Sequence, residues 1–150
     1  MKDLIPAAVK QIYKKLEDNN FEVYFVGGCV RNLLMDLPVK DWDLTTNATP
    51  QQILKLFSDG FYNNEFGTVG IPLSEKNVVE ITTYRTEQGF SNKRHPDKVF
   101  WGKTIDEDLS RRDFTMNAVG MKLKGDQTEF VDPFNGRKDI EDKIIRTVGN

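Results

Sequence analysis

Two acids one residue apart, Asp41 and Asp43, follow a glycine pair, Gly27-Gly28, and an arginine, Arg31. The apolar run Val23-Tyr24-Phe25-Val26 leads into the glycines, and Lys40-Asp41-Trp42-Asp43-Leu44 carries the acids. Strand side chains alternate, so a strand here puts Asp41 and Asp43 on one face and Trp42 in the core. Two unpaired carboxylates side by side repel. A divalent cation removes the repulsion, and Mg²⁺ is typically held by one or two carboxylates plus substrate phosphates. Glycines let the backbone approach a ligand, and a following helix N-terminus favours an anion. Arg31 adds a planar fork suited to bidentate phosphate contact. Alone, each feature has a plainer reading: a tight turn, a solvated strand edge, a surface helix charge. Together they place a phosphate cradle beside metal-binding acids, which is the equipment for transferring a nucleotidyl group.

These residues carry a resemblance. Gly27-Gly28-Cys29-Val30-Arg31-Asn32-Leu33-Leu34, then Asp41-Trp42-Asp43-Leu44-Thr45-Thr46, is similar to the first signature of the class II CCA-adding enzyme and poly(A) polymerase family. A second signature lies downstream, Glu107-Asp108-Leu109-Ser110-Arg111-Arg112-Asp113-Phe114-Thr115-Met116-Asn117-Ala118. Two motifs in the expected order are far more specific than either one. The resemblance implies a mixed α/β domain with the polymerase-β-like nucleotidyltransferase fold. It implies attack of a tRNA 3′-hydroxyl on the α-phosphorus of CTP or ATP, with Mg²⁺ as cofactor. Two cations roughly 3.5–4 Å apart serve such a displacement by neutralising the attacking and leaving oxygens.

Asp41 and Asp43 are the expected metal ligands. Glu80 is the candidate third carboxylate, because it interrupts the apolar strand Val78-Val79-Glu80-Ile81, where an acid needs a partner. Gly27, Gly28 and Arg31 are expected on the triphosphate. Carried over by position from the family, Arg112 contacts nucleotide phosphate or sugar, and Asp113 and Asn117 read the sugar hydroxyls. Phe114, Met116 and Trp42 read as core, and Cys29 as a small buried residue.

The elements that must position these groups are legible. Ile5, Ala8, Val9, Ile12, Tyr13 and Leu16 recur at helical spacing, and Asn19-Asn20 ends that helix. A strand is expected over 22–26. Thr49-Pro50 is an N-cap followed by Pro at the first helical position. Residues 67–71 and 78–84 read as paired strands, 104–113 as a capped acidic helix, and 118–123 with 128–131 as a hairpin. A short helix is expected to start at 139. The polar stretch 86–98, with the only histidine, His95, reads as a loop. It matches the family's flexible loop in place, and His95 reads as a solvated loop residue.

Three departures from the family pattern stand out. Asn32 replaces the usual acid after the arginine, so a salt bridge there is lost. Asp36 replaces the usual glycine at the helix end, which weakens the argument for a left-handed cap. The chain stops at Asn150, where relatives continue into a neck that carries the base-reading template. The expectation is therefore a head domain over 1–150 without neck, body or tail, weak in choosing bases.

With 150 residues, no apolar run of membrane length, no apolar signal-peptide core and one cysteine, a cytoplasmic protein is expected. A net charge of -2 is a poor footprint for a stand-alone RNA binder. Residues 64–71 lack the arginine-rich character of the poly(A) polymerases and resemble the tRNA-tailing branch. A poly(A) polymerase head, a Mg-nucleotide-binding module that tails nothing and a two-metal nuclease are the rival readings. The glycine-to-Arg31 cradle argues against the nuclease.

Overall fold

The computed structural model describes residues 1–63, 67–74, 77–85 and 101–149. Its strands are β1 (Val23–Phe25), β2 (Asp43–Thr46), β3 (Phe61–Tyr62), β4 (Val69–Pro72), β5 (Val78–Thr83), β6 (Gly120–Lys124) and β7 (Gln127–Val131). Its helices are α1 (Ala7–Asp18), α2 (Gly28–Leu34), α3 (Pro50–Leu56), α4 (Ile105–Ser110) and α5 (Gly136–Glu141). The strands form one mixed sheet in the order β3-β4-β5-β2-β1-β6-β7. The β2–β5 pair is parallel and the other pairs are antiparallel.

The parallel register sets Asp43 beside Glu80, Leu44 beside Ile81 and Thr45 beside Thr82. Period-two alternation then separates the faces. Leu44, Val79 and Ile81 enter the main core with Val9, Ile12, Tyr13 and Leu16 of α1 and Ile53 of α3. Each such side chain contributes roughly 1.5–3 kcal/mol by leaving water. Asp43, Thr45, Glu80 and Thr82 share the opposite face. Tyr84, two residues beyond Thr82, packs there in a second cluster with Val26, Ile105, Leu109 and Ala118. That cluster seats α4 on the acid-bearing face, which brings the end of α4 towards Asp43.

Local signals explain most elements. Thr49 and Thr104 each close a capping box, with Gln52 and Glu107 respectively. Helix α5 begins at Gly136, ahead of the expected start, because Asp132 Oδ1 accepts from Gly136 N at 2.7 Å and organises the turn before it. The strand expected over 22–26 is shorter at both ends. Strand β3 is an addition, too short to show a period in sequence. Asp36 keeps the left-handed backbone, φ 57°, expected of the glycine it replaces, so the cap persists with an acid. The stretch 86–98, with His95, lies outside the described residues, as do Asn64, Glu65 and Phe66.

Candidate active site

Gly27 is the N-cap of α2 with φ 75°, a conformation glycine adopts without strain. A Cβ there would lie 3.5 Å from Arg112 Nη1 and 3.8 Å from Asp43 Oδ2. A guanidinium and a carboxylate from two other segments therefore converge where a side chain at Gly27 would stand. At Gly28 a Cβ would lie 3.2 Å from Arg31 Nη2, so the Arg31 guanidinium folds back against the glycine. Helix α2 is short, and positive charge at this end comes mainly from the two arginines.

Arg31 is fixed from both sides. Its Nε donates to Asn32 Oδ1 at 3.1 Å, and its Nη1 donates to Asn117 Oδ1 at 3.0 Å. Asn32 Nδ2 in turn donates to Pro38 O at 3.0 Å. The residue that replaces the expected acid thus holds the arginine by a neutral amide and leaves its full charge available. Asn117 Nδ2 reaches Asp113 Oδ1 at 3.5 Å.

Gly27, Gly28, Arg31, Asp43, Arg112, Asp113 and Asn117 line one cavity of about 410 Å³, together with Arg111. These are the expected nucleotide-binding residues from both motifs, gathered with one of the two expected metal ligands. Asp41 lies on the neighbouring cavity of about 450 Å³, which Asp43, Gly28 and Arg31 also line. Its far wall is the apolar stretch Leu37, Pro38 and Val39. Strand β2 begins at Asp43, so Asp41 sits on the exposed extended segment before it. Trp42 is buried at 5% exposure and meets Phe25 edge-on, as the alternation requires.

The Asp43 carboxyl is pushed up to about 6, first by burial, then by the Glu80 charge, with Arg112 opposing and Asp41 adding. Glu80 faces Asp43 across the β2–β5 pair and accepts a hydrogen bond from Asn63 Nδ2. No group of three or more His, Cys, Asp or Glu side chains suited to a metal ion occurs among the described residues. Hard oxygen donors on Asp41 and Asp43, with Asp43 short of positive charge, still fit a cation that takes its remaining ligands from phosphate.

Phe114 and Met116 are half-buried, against the expectation of core residues; the buried member of that segment is Thr115. Its hydroxyl donates to Asp139 Oδ2 at 2.7 Å. A polar anchor therefore replaces an apolar one beneath Asn117. Cys29 is buried, its thiol donating to Val26 O at 3.2 Å. Asp108 stands behind the cavity, outside the residues that line it. It is 0% exposed and accepts from Arg112 Nη2 at 3.0 Å and Arg111 Nε at 3.3 Å. Its spacing, three and four residues before two arginines on a helix, is the signal that identifies it.

Residues 23–146 match the model of the poly A polymerase head domain family. The CCA-adding enzyme of Lactobacillus helveticus (strain DPC 4571) is 46% identical over 140 residues, which cover 93% of this chain and 34% of that protein. The crystal structure of Bacillus stearothermophilus CCA-adding enzyme in complex with CTP is similar with a TM-score of 0.78 and 36% identity. That match covers 93% of this chain and 32% of the other. A tRNA nucleotidyltransferase complexed with a primer tRNA and an incoming ATP analog is similar with a TM-score of 0.71 and 28% identity, covering 92% of this chain and 39% of the other. The chain spans about a third of the length of the relatives it matches.

Proposed function

The chain belongs to the poly(A) polymerase head domain family, and from that premise we propose that it is the catalytic head of a tRNA nucleotidyltransferase. The reaction is transfer of C or A from CTP or ATP to a tRNA 3′ end in the cytoplasm. One observation carries the reading: Arg31 of the first motif is bonded to Asn117 of the second on a cavity that Asp43 also lines. The named relatives, including structures complexed with CTP and with primer tRNA and an ATP analog, support it.

Asp41 and Asp43 would hold Mg²⁺. The cation supplies charge neutralisation at the reacting phosphate when bound. Glu80 keeps the Asp43 face negative and so favours a cation there. Arg31 and Arg112 flank the glycine backbone and take the triphosphate oxygens, for which a guanidinium fork is well shaped. Asp113 and Asn117 lie at the cavity's rim, where Asp113 is exposed and free to accept from a sugar hydroxyl. The protein's work in this reaction is positioning and electrostatic stabilisation.

Incubation with labelled CTP or ATP, Mg²⁺ and a tRNA lacking its end tests the reading. Longer RNA supports it. Retained nucleotide without extension favours a binding module, and shorter RNA favours a nuclease.

A further inference from the structure

We propose that Asp108 is a positioning residue for triphosphate binding, acting through Arg112; the inference rests on the nucleotidyltransferase reading above. The buried carboxylate divides its two oxygens. Oδ2 accepts from Arg112 Nη2 at 3.0 Å, while Oδ1 accepts from Arg111 Nε and from Arg85 N, each at 3.3 Å. Arg112 is thereby held by one nitrogen, and its other terminal nitrogen, Nη1, lies against Gly27 in the cavity. A charge-assisted bond to one arm of a planar fork fixes the direction of the other arm.

The charge balance points the same way. One carboxylate lies within ion-pairing distance of two guanidiniums, from Arg111 and Arg112. Arg112 Nε is buried and without a hydrogen-bond partner. The cluster sets one buried carboxylate against two partly exposed guanidiniums, with Asp43 the other acid near Arg112, and a further anion on the cavity side would complete the pairing of the two arginines. The cavity on its open side is where that anion would sit. Asp108 itself is 0% exposed behind the arginines, so it touches no ligand and acts only through them.

The same carboxylate also fastens the end of β5 through Arg85 N, which makes Asp108 a common anchor for β5 and for the end of α4. Shape alone would be met by asparagine. Fixing two guanidiniums requires the charge.

The test is titration calorimetry of this chain with Mg-ATP and with Mg-AMP, for the unsubstituted protein, Asp108→Asn, Arg112→Gln and the double variant. Asp108→Asn should weaken Mg-ATP binding on the order of tenfold and leave Mg-AMP binding nearly unchanged. In the Arg112→Gln background the same substitution should have little further effect, because the two residues act as a unit. Equal loss in both backgrounds overturns the proposal, as does unchanged Mg-ATP affinity in Asp108→Asn alone. Should Asp108→Asn not fold, Arg112→Lys decides. It keeps the charge but cannot span Asp108 and Gly27, so it should lose as much affinity as Arg112→Gln, and wild-type affinity overturns the proposal. If the unsubstituted chain binds neither nucleotide, the nucleotidyltransferase reading fails and this proposal with it.

Discussion

Arg31 Nη1 donates to Asn117 Oδ1 at 3.0 Å, a bond between residues 86 positions apart in the chain. It joins the helix after the glycine pair to the segment after α4. An arginine held at both Nε and Nη1 has little freedom left, so its remaining donors are aimed before any ligand arrives.

Asn117→Ala should therefore weaken Mg-ATP binding roughly three- to tenfold, since ordering a freed side chain on binding costs about 0.5–1.5 kcal/mol. Asn117→Asp should weaken it further, by keeping Arg31 in place while cancelling its charge. Calorimetry on both variants checks this. An Asp variant that binds as well as the Ala variant would remove Arg31 from the triphosphate.

Asp43 should leave a signature in the pH dependence of stability. Its carboxyl titrates near 6 in the folded chain against 3.8 when unperturbed. The folded state then holds the proton more tightly than the unfolded state. Stability contributed by the protonated form is present below about pH 4 and is lost as pH rises through 6. Asp43→Asn should accordingly be more stable than the parent at pH 7, on the order of 1 kcal/mol after allowance for solvent screening, with no such gain near pH 4. Mg²⁺ should narrow the difference by stabilising only the parent. Thermal melts at the two pH values, with and without Mg²⁺, measure this, and the same variant should lose Mg²⁺-dependent nucleotide incorporation.

Much of this site was legible because local rules set it. The period of two placed Trp42 inward between the acids, and the capping signals at Thr49 and Thr104 set where α3 and α4 begin. Gly27 announced a backbone that side chains avoid. Other features depend on partners far along the chain. The parallel β2–β5 pairing that sets Glu80 beside Asp43 has no local signal, since parallel partners meet only through a crossover. Asp108 reads as one acid among Asp106, Glu107 and Asp108; its spacing to Arg111 and Arg112 singles it out, and folding then buries it. Asn32 and Asp36 looked like losses relative to the family pattern. In the structure the first holds Arg31 and the second keeps the left-handed turn.

Sugar choice should depend on Asp113. The side chain is exposed, and its Oδ1 accepts from Phe114 N at 2.7 Å and weakly from Asn117 Nδ2, which leaves Oδ2 for a sugar hydroxyl. Asp113→Ala should thus reduce discrimination between ribo- and deoxyribonucleotides by on the order of 1–3 kcal/mol, with little change in melting temperature. Unchanged selectivity with a large drop in stability would assign Asp113 to the turn after α4 instead.

Base choice should be nearly absent from this chain. The cavity presents glycine backbone, three arginines, the Asp43 carboxylate and the Asp113–Asn117 pair. These groups suit phosphate, metal and sugar, which CTP and ATP share. Telling cytosine from adenine needs donors and acceptors fixed opposite the base edge, and among the described residues the cavity's groups are spent on phosphate, metal and sugar. Mg-CTP and Mg-ATP should therefore bind with similar, weak affinity. RNA affinity should also be low, since a net charge of -2 gives no general attraction for phosphate. Calorimetry of the 150-residue chain with each nucleotide decides the point. A tenfold preference, about 1.4 kcal/mol, would mean that the head itself reads the base.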